Sequence, residues 1–134
     1  MWLIKSEPFK YSWDDLVKEG LTLWNGVRNY TARNNLRAMK LGDEAFFYHS
    51  NDGLEIVGIV QIIKEAYPDP TAEGDTWSVV DVAPLRKLQQ PVTLAQMKAD
   101  KRLANMQLIR QGRLSVSAIT EEEWNIVLGM AGER

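Results

Sequence analysis

Two β-prone segments on either side of a short polar turn place the tightest limit on the fold of this chain. Glu44–His49 and Glu55–Lys64 are rich in Phe, Tyr, Ile and Val, and a Ser-Asn-Asp-Gly sequence separates them at positions 50–53. Aromatic and β-branched runs bounded by turn residues are typical of a β-hairpin. The centre of the chain therefore predicts two paired strands around which the other elements must be arranged.

Further strand-like segments lie on both sides of this hairpin. Met1–Ser6, Trp77–Leu85 and Leu114–Ile119 have strand character, and a shorter segment, Leu21–Trp24, precedes an Asn-Gly turn. The two prolines within 68–71 predict a loop, since proline cannot donate to a ladder. About five to six strands are thus expected, and strands of this number and length commonly close into a barrel or half-barrel.

Helices are indicated between the strands by N-terminal caps. A Ser or Thr followed three residues later by an acid or amide forms a capping box. This pattern occurs at Ser12 with Asp15, Thr93 with Gln96, and Thr120 with Glu123. A further helix is predicted over 29–41, and a less regular helical segment reaches Arg110. The expectation is one α+β domain spanning residues 1–134.

The residues that the chain lacks exclude several kinds of chemistry. Among 134 residues there is no cysteine and a single histidine, His49. Disulfides, thiolate metal sites, a Cys nucleophile and multi-His metal sites are therefore excluded, and no glycine spacing matches a phosphate-binding loop. No cofactor and no metal are expected. The N-terminus meets charge and proline too early for a signal peptide, and no apolar run approaches a membrane span, so we expect a cytoplasmic protein.

The charge distribution is locally uneven. A net charge of −2 argues against coating nucleic acid through bulk electrostatics. Nevertheless the stretches 24–42 and 101–113 each contain four basic residues and no acid. We expect phosphate contacts from five basic side chains: Arg28, Arg33, Arg37, Lys40 and Arg113. The alternative for the three on the predicted helix, at positions 33, 37 and 40, is an ordinary solvated helix face.

Aromatic, amide and other polar side chains gather near the ends of the predicted strands, where a rigid scaffold commonly displays binding residues. They are Lys5, Ser6, Glu7, Trp24, Asn25, Tyr48, His49, Ser50, Asn51 and Trp77. Aromatic faces stack on bases with little selectivity, whereas amides and carboxylates read the polar edge of a ring. Together they suit the binding of a flat polar ring.

Each of these side chains also has a simpler interpretation. Trp24 and Trp77 stand beside turns and could be core residues instead of ligand platforms. His49 could be a histidine whose hydrogen-bonding capacity is satisfied by a neighbouring backbone group. The tryptophans at positions 2, 13 and 124 lie in apolar-patterned segments and are expected to pack in the core.

Several stretches together resemble the signature of EVE domains. They are WLIKSEP at 2–8, WNGVRNY at 24–30 and FFYHSN at 46–51, followed in the same order by PDPTA at 68–72, 77–82 with Pro84, and RLSV at 113–116. The resemblance covers nearly the whole chain. It implies a PUA-like pseudo-barrel with flanking helices, related to the YTH and SRA readers of modified bases.

The resemblance also implies a function without catalysis. EVE domains are regarded as binders of modified nucleobases in DNA or RNA, so a modified cytosine or adenine is the expected ligand. By analogy with YTH readers, Trp24 and Asn25 would form part of a cage, Glu7 would stand at the base edge, and Tyr30 joins the candidate pocket. The expected partner is a nucleic acid with such a base, bound by a monomer.

Two other functions stay open on the sequence. Some PUA-like relatives of the ASCH type use a Lys/Glu pair, and Lys5 with Glu7 could supply one in a small hydrolase of modified nucleosides. Residues two apart on a strand point to the same face, so this pair could equally be a local ion pair. The third alternative is a protein-interaction module with a vestigial pocket.

Overall fold

The protein is described by a computed structural model covering residues 1–133. The strands are β1 (Trp2–Ser6), β2 (Thr22–Leu23), β3 (Glu44–His49), β4 (Glu55–Pro68), β5 (Ser78–Thr93) and β6 (Val116–Ala118). The helices are α1 (Trp13–Glu19), α2 (Tyr30–Ala38), α3 (Leu94–Ala99), α4 (Gln107–Arg110) and α5 (Glu121–Met130), with a 3-10 turn at Lys101–Leu103.

All six strands form one mixed sheet in the order β2-β5-β4-β3-β1-β6. Strands β1 and β3 run parallel, with Ser6 opposite His49, whereas every other pair is antiparallel. The expected hairpin of β3 and β4 is confirmed. Because the parallel strands β1 and β3 end side by side, the polar residues that follow the two strands start next to each other in space.

The α+β fold with five to six strands is confirmed, but the sheet does not close into a barrel. Its outer strands, β2 and β6, span two and three residues and do not pair with each other within residues 1–133. Helix α2 lies against β4, β5 and β6 on one face. From this helix, Asn35 Nδ2 donates to the Val116 carbonyl on β6 at 2.7 Å. Because the two outer strands do not pair in the described part of the chain, a gap remains between them that a closed barrel would not have. Helix α2 covers this gap.

Alternating side chains divide the core into two apolar layers. Ile4 and Phe47 pack with the first two helices on one face, whereas Leu3 and Phe46 pack with the last three helices on the other. The period of two along β1 and β3 produces this division. Within residues 1–133 no helix is both long and apolar enough to cross a membrane.

The helix starts follow the predicted caps, and β1 and β3 end where predicted. Strand β4 runs past the predicted end at Lys64 to Pro68, so the predicted loop begins one residue later. Reciprocal capping boxes occur at all three expected positions. Helix α2 ends at Ala38 instead of reaching position 41, because Met39 is already extended. Strand β5 contains Pro84 and continues past the expected end at Leu85 through Pro91 to Thr93. Both prolines fall where the pairing with β4 is irregular, so neither interrupts a regular ladder.

Gly58 on β4 supplies the first test of this packing. A Cβ added there would lie 2.5 Å from two atoms of the Trp13 ring, which is 4% exposed. Trp13 is held by an edge-on contact with Phe47 at 5.5 Å, so its ring has little room to move. We expect Gly58→Ala to lower the free energy of unfolding by about 2–3 kcal/mol. Gly112→Ala is the control, since nothing lies within 4 Å of its added Cβ; equal losses in denaturant unfolding would contradict the packing argument.

Candidate functional site

A cleft of about 480 Å³ opens where β1 and β2 end. Three stretches of chain enclose it: the end of β1 with the turn after it, β2 with the segment leading to α2, and one residue before β6. The lining residues are Lys5, Ser6, Glu7, Lys10, Tyr11, Thr22, Leu23, Trp24, Asn25, Gly26, Val27, Arg28 and Ser115. The sequence prediction and the cleft thus share Lys5, Ser6, Glu7, Trp24, Asn25 and Arg28.

Trp24 joins the cleft to the core. It is 9% exposed, and its ring makes edge-on contacts with Phe47 at 5.7 Å and Tyr11 at 6.3 Å. Its backbone amide donates to the Val80 carbonyl at 2.8 Å. Trp24 is therefore a core residue whose remaining surface lines the cleft, as the core interpretation expects, and its role as a ligand platform stays a prediction. The next residue, Asn25, is exposed.

The two charged residues at the end of β1 have different partners. Lys5 Nζ donates to the Gly112 carbonyl at 2.7 Å, and burial lowers the pKa of this lysine. Glu7 forms an ion pair with Lys10 at 3.3 Å, and both side chains are substantially exposed. The simple alternative of a local Lys5–Glu7 ion pair is therefore wrong. Lys5 instead ties β1 to the segment before β6.

Tyr11 closes one side of the cleft behind Trp24. Burial raises its pKa to about 12, so the phenol stays protonated at neutral pH. The hydroxyl lies near Glu19 and Thr22, yet it makes no hydrogen bond of standard geometry within residues 1–133. The Tyr11 carbonyl accepts from the Ser6 hydroxyl, which fixes this turn against β1.

A buried carboxylate that the sequence did not single out holds the other side of the cleft. Asp69, at 1% exposure, accepts hydrogen bonds from the Gly26 amide and from Arg28 Nη1, both at 3.0 Å. Its other oxygen accepts from the Thr71 hydroxyl at 2.5 Å and from the Thr71 amide at 2.7 Å. Burial alone would raise the pKa of Asp69, but these hydrogen bonds lower it to about 2. The positive φ of 79° at Gly26 is thereby held in place.

Beyond Arg28 lies a row of rings and guanidinium groups, of which Tyr30 is exposed and Trp77 and Arg33 are half-buried. The Arg28 guanidinium is 5.8 Å from the centre of the Trp77 ring, and Trp77 lies 5.0 Å from Tyr30 with 30° between the planes. The Arg33 guanidinium lies 4.9 Å from the centre of the Tyr30 ring. Tyr30 and Trp77 do not line the cleft; they continue outward from its Arg28 wall.

The basic residues of α2 also hold the loop before β5. Arg33 donates to the Thr76 carbonyl at 3.1 Å, and Arg37 donates to the Ser78 hydroxyl at 2.9 Å. Lys40 is exposed just beyond the helix. The simple alternative of a solvated helix face describes only part of this set, because two guanidinium groups stabilise a neighbouring loop.

Arg113 lines a second cleft of about 280 Å³. The other lining residues are Asn29, Thr31, Gln111, Gly112 and Leu114. The two clefts are lined by consecutive residues of the chain at two places. Arg28 lines the first cleft and Asn29 the second, and Leu114 lines the second and Ser115 the first. The lining of the second cleft contains no acidic side chain.

The remaining candidates lie at the end of β3 and do not line the cleft. Tyr48 is 2% exposed and packs in the core layer that contains Leu3 and Phe46. Lys5 Nζ lies 6.0 Å from the centre of the Tyr48 ring. The Ser50 amide donates to the Ser6 carbonyl at 2.9 Å, and Asn51 is an exposed turn residue with a φ of 65°. Among residues 1–133, no three His, Cys, Asp or Glu side chains form a group that could hold a metal ion.

His49 has the role that the simpler interpretation assigns to it. Its Nε2 accepts a hydrogen bond from the Trp13 backbone amide at 3.1 Å, at the start of α1. An accepting nitrogen carries no proton, and burial lowers the pKa of this histidine below 6.5. The ring therefore stabilises the fold in its neutral form.

This contact predicts a pH dependence of stability. The contribution of His49 is fully present above the unfolded-state pKa of 6.5, and it is lost as the pH falls toward the lower pKa of the folded protein. We expect Tm to fall between pH 7 and pH 5.5, and to fall less in His49→Gln, whose amide oxygen accepts without titrating. Identical falls in the two proteins, measured by thermal unfolding, would assign the dependence to other groups.

Comparison with known proteins gives consistent matches over nearly the whole chain. The family model described as EVE domain matches residues 1–130. Thymocyte nuclear protein 1 of Gallus gallus is 42% identical over 167 aligned positions, which cover 99% of this chain and 69% of that protein.

Two solved structures share the fold closely. A crystal structure of a protein from Agrobacterium tumefaciens superposes with a TM-score of 0.96 at 51% identity, covering 98% of this chain and 92% of that one. The human THYN1 protein in complex with 5-methylcytosine containing DNA superposes with a TM-score of 0.92 at 40% identity, covering 99% and 98%.

Proposed function

Because the chain belongs to the EVE domain family, we propose that it binds nucleic acid carrying a modified base and holds that base in the cleft between β1 and β2. The observation that carries the proposal is the agreement between the cleft and the family-like segments at 2–8 and 24–30, since both segments line it. The complex of a human relative with DNA containing 5-methylcytosine makes a modified cytosine in DNA the first ligand to test.

The size and lining of the cleft support this role. Small-molecule sites commonly have volumes of about 300–1,000 Å³, with apolar walls and a few polar groups that fix orientation. Here Trp24, held by two aromatic neighbours, provides a rigid apolar wall. Ser6, Glu7 and Asn25 provide polar groups beside it. A flat ring with a polar edge matches this arrangement.

Glu7 gives the site a preference for hydrogen-bond donors. An ionised carboxylate only accepts hydrogen bonds, so it favours a base edge that carries an exocyclic amine, as cytosine and adenine do. The ion pair between Glu7 and exposed Lys10 leaves the carboxylate in the lining of the cleft. The different partners of Lys5 and Glu7 give no support to the hydrolase alternative.

We propose that the phosphate backbone passes from Arg28 toward the second cleft and Arg113. Arg28 is fixed by Asp69 yet keeps 40% of its side chain exposed. The second cleft continues the first along the chain and has Arg113 as its cation. The other basic candidates, Arg33, Arg37 and Lys40, would then act at a greater distance from the bound base.

Arg113→Ala tests this path. Removing one phosphate contact should weaken binding to modified and unmodified oligonucleotides by the same factor, and it should reduce the slope of log K against log salt by about one. Fluorescence anisotropy at a series of salt concentrations measures both quantities. Lys98→Ala, an exposed lysine on α3, is the charge-matched control; a change in selectivity between the two oligonucleotides would place Arg113 at the base instead.

The proposed function itself is tested by a binding screen. The full chain is titrated into matched DNA and RNA oligonucleotides that are unmodified, methylated at cytosine or methylated at adenine. We expect at least tenfold tighter binding to one modified member than to its unmodified counterpart, equivalent to about 1.4 kcal/mol. Equal affinities across the set, or chemical turnover of a modified base, would overturn the proposal.

A further inference from the structure

Phe9 is the most exposed large apolar side chain among residues 1–133, with 88% of its surface open to solvent. It lies in a tight turn, in which the amides of Lys10 and Tyr11 both donate to the Glu7 carbonyl, at 2.9 and 2.8 Å. Pro8 restricts the backbone immediately before it. The turn therefore presents an aromatic ring to solvent from a well-bonded segment.

This ring stands at the rim of the cleft. Glu7 on one side of it, and Lys10 and Tyr11 on the other, all line the cleft, whereas Phe9 does not. The ion pair of Glu7 with Lys10, at 3.3 Å, spans the turn. Phe9 is thus an apolar projection beside the cleft mouth, with a basic side chain next to it.

We propose that Phe9 acts as a wedge that enters a double helix at the position left by a modified base when that base turns into the cleft. The inference rests on the proposed function. A base that leaves a duplex gives up its stacking and pairing, and apolar side chains inserted between base steps are a common way to support the distorted duplex. A single strand has no such gap to fill, so the wedge should matter only for duplex ligands.

The experiment compares two forms of one ligand. Fluorescence anisotropy measures the affinity of the full chain for a 5-methylcytosine DNA strand, alone and annealed to its complement. We expect Phe9→Ala to weaken duplex binding about tenfold, a factor within the range that stacking supplies, while single-strand affinity changes less than about twofold. Phe9→Trp should retain duplex binding. Leu41→Ala is the control, because Leu41 is 66% exposed and precedes β3 at the end of the sheet away from the cleft.

The outcomes separate this inference from the proposed function. Selective single-strand binding by the wild-type chain supports the proposed function whatever Phe9 does. Given such binding, unchanged duplex affinity in Phe9→Ala, or an equal loss for both forms of the ligand, would overturn the wedge. Failure of the wild-type chain to prefer the methylated strand would instead count against the proposed function and remove the basis for the wedge.

Discussion

Replacing Asp69 with alanine is expected to lower the free energy of unfolding by about 3 kcal/mol. The substitution removes a fully buried carboxylate and leaves four donors without their acceptor: the amides of Gly26 and Thr71, the Thr71 hydroxyl and the Arg28 guanidinium. Removing one partner of a buried, hydrogen-bonded ion pair typically costs about 3–5 kcal/mol. The 40% exposure of Arg28 keeps the loss toward the lower part of this range, because water can replace its lost partner.

Denaturant unfolding of Asp69→Ala, Asp69→Asn and Asp75→Ala measures this effect. Asp69→Asn keeps the size of the side chain but presents an NH₂ group to donors on one side, so it should also be destabilised. Asp75 is exposed in the same loop, and its loss should change stability by less than about 0.5 kcal/mol. Because the pKa of Asp69 is about 2, the difference should stay constant from pH 5 to pH 8. A loss no larger than that of Asp75→Ala would contradict the role of Asp69.

Replacing Trp24 with alanine is expected to lower the ratio of the affinities for modified and unmodified strands at least tenfold. The change takes away a rigid wall of the cleft, and stacking on an aromatic side chain is worth about 1–3 kcal/mol per base. It also opens a cavity beside Phe47 and should cost about 3–5 kcal/mol of stability. Partial unfolding reduces the apparent affinity for every ligand by the same factor. The ratio of affinities for modified and unmodified strands therefore reports on the site alone.

Trp2→Ala is the matched control for this ratio. Trp2 is half-buried, and its indole nitrogen donates to Asp43 at 3.0 Å, at the end of β1 away from the cleft. Its loss should lower stability but leave the selectivity ratio as it is in the wild-type protein. If both alanine variants shift the ratio equally, or neither does, Trp24 does not contribute to base selectivity.

Local signals in the sequence predicted the parts of the fold that depend on local interactions. The caps at Ser12, Thr93 and Thr120 are formed within four residues of chain, and all three begin helices as expected. The extent of β5 depends on where irregular pairing with β4 accommodates Pro84 and Pro91. That pairing joins distant parts of the chain, so no pattern near either proline could reveal it.

In the candidate site, too, local sequence patterns predicted some residues, whereas others are brought there only by contacts between distant parts of the chain. The segments at 5–7 and 24–28 were recognised because polar and aromatic residues cluster at strand ends, and both line the cleft. Tyr11 was missed because only the tertiary fold brings it there. Asp69 had one local signal, a threonine two residues later in an Asp-x-Thr turn, which is a common pattern of local hydrogen bonding. Its bonds to Gly26 and Arg28 cross more than 40 residues of chain and left no trace in the sequence nearby.

The cleft between β1 and β2 is proposed to receive the modified base, and an NMR titration tests this placement most directly. Amide and indole N–H signals of the ¹⁵N-labelled chain are followed while a short single-stranded DNA with one 5-methylcytosine is added. We predict the largest shifts at the Trp24 indole and at the amides of Glu7, Asn25 and Ser115, with smaller shifts from the unmethylated strand. Shifts confined to the far face of the molecule, around Gly129 and Met130 on α5, or equal shifts from both strands, would contradict the claim.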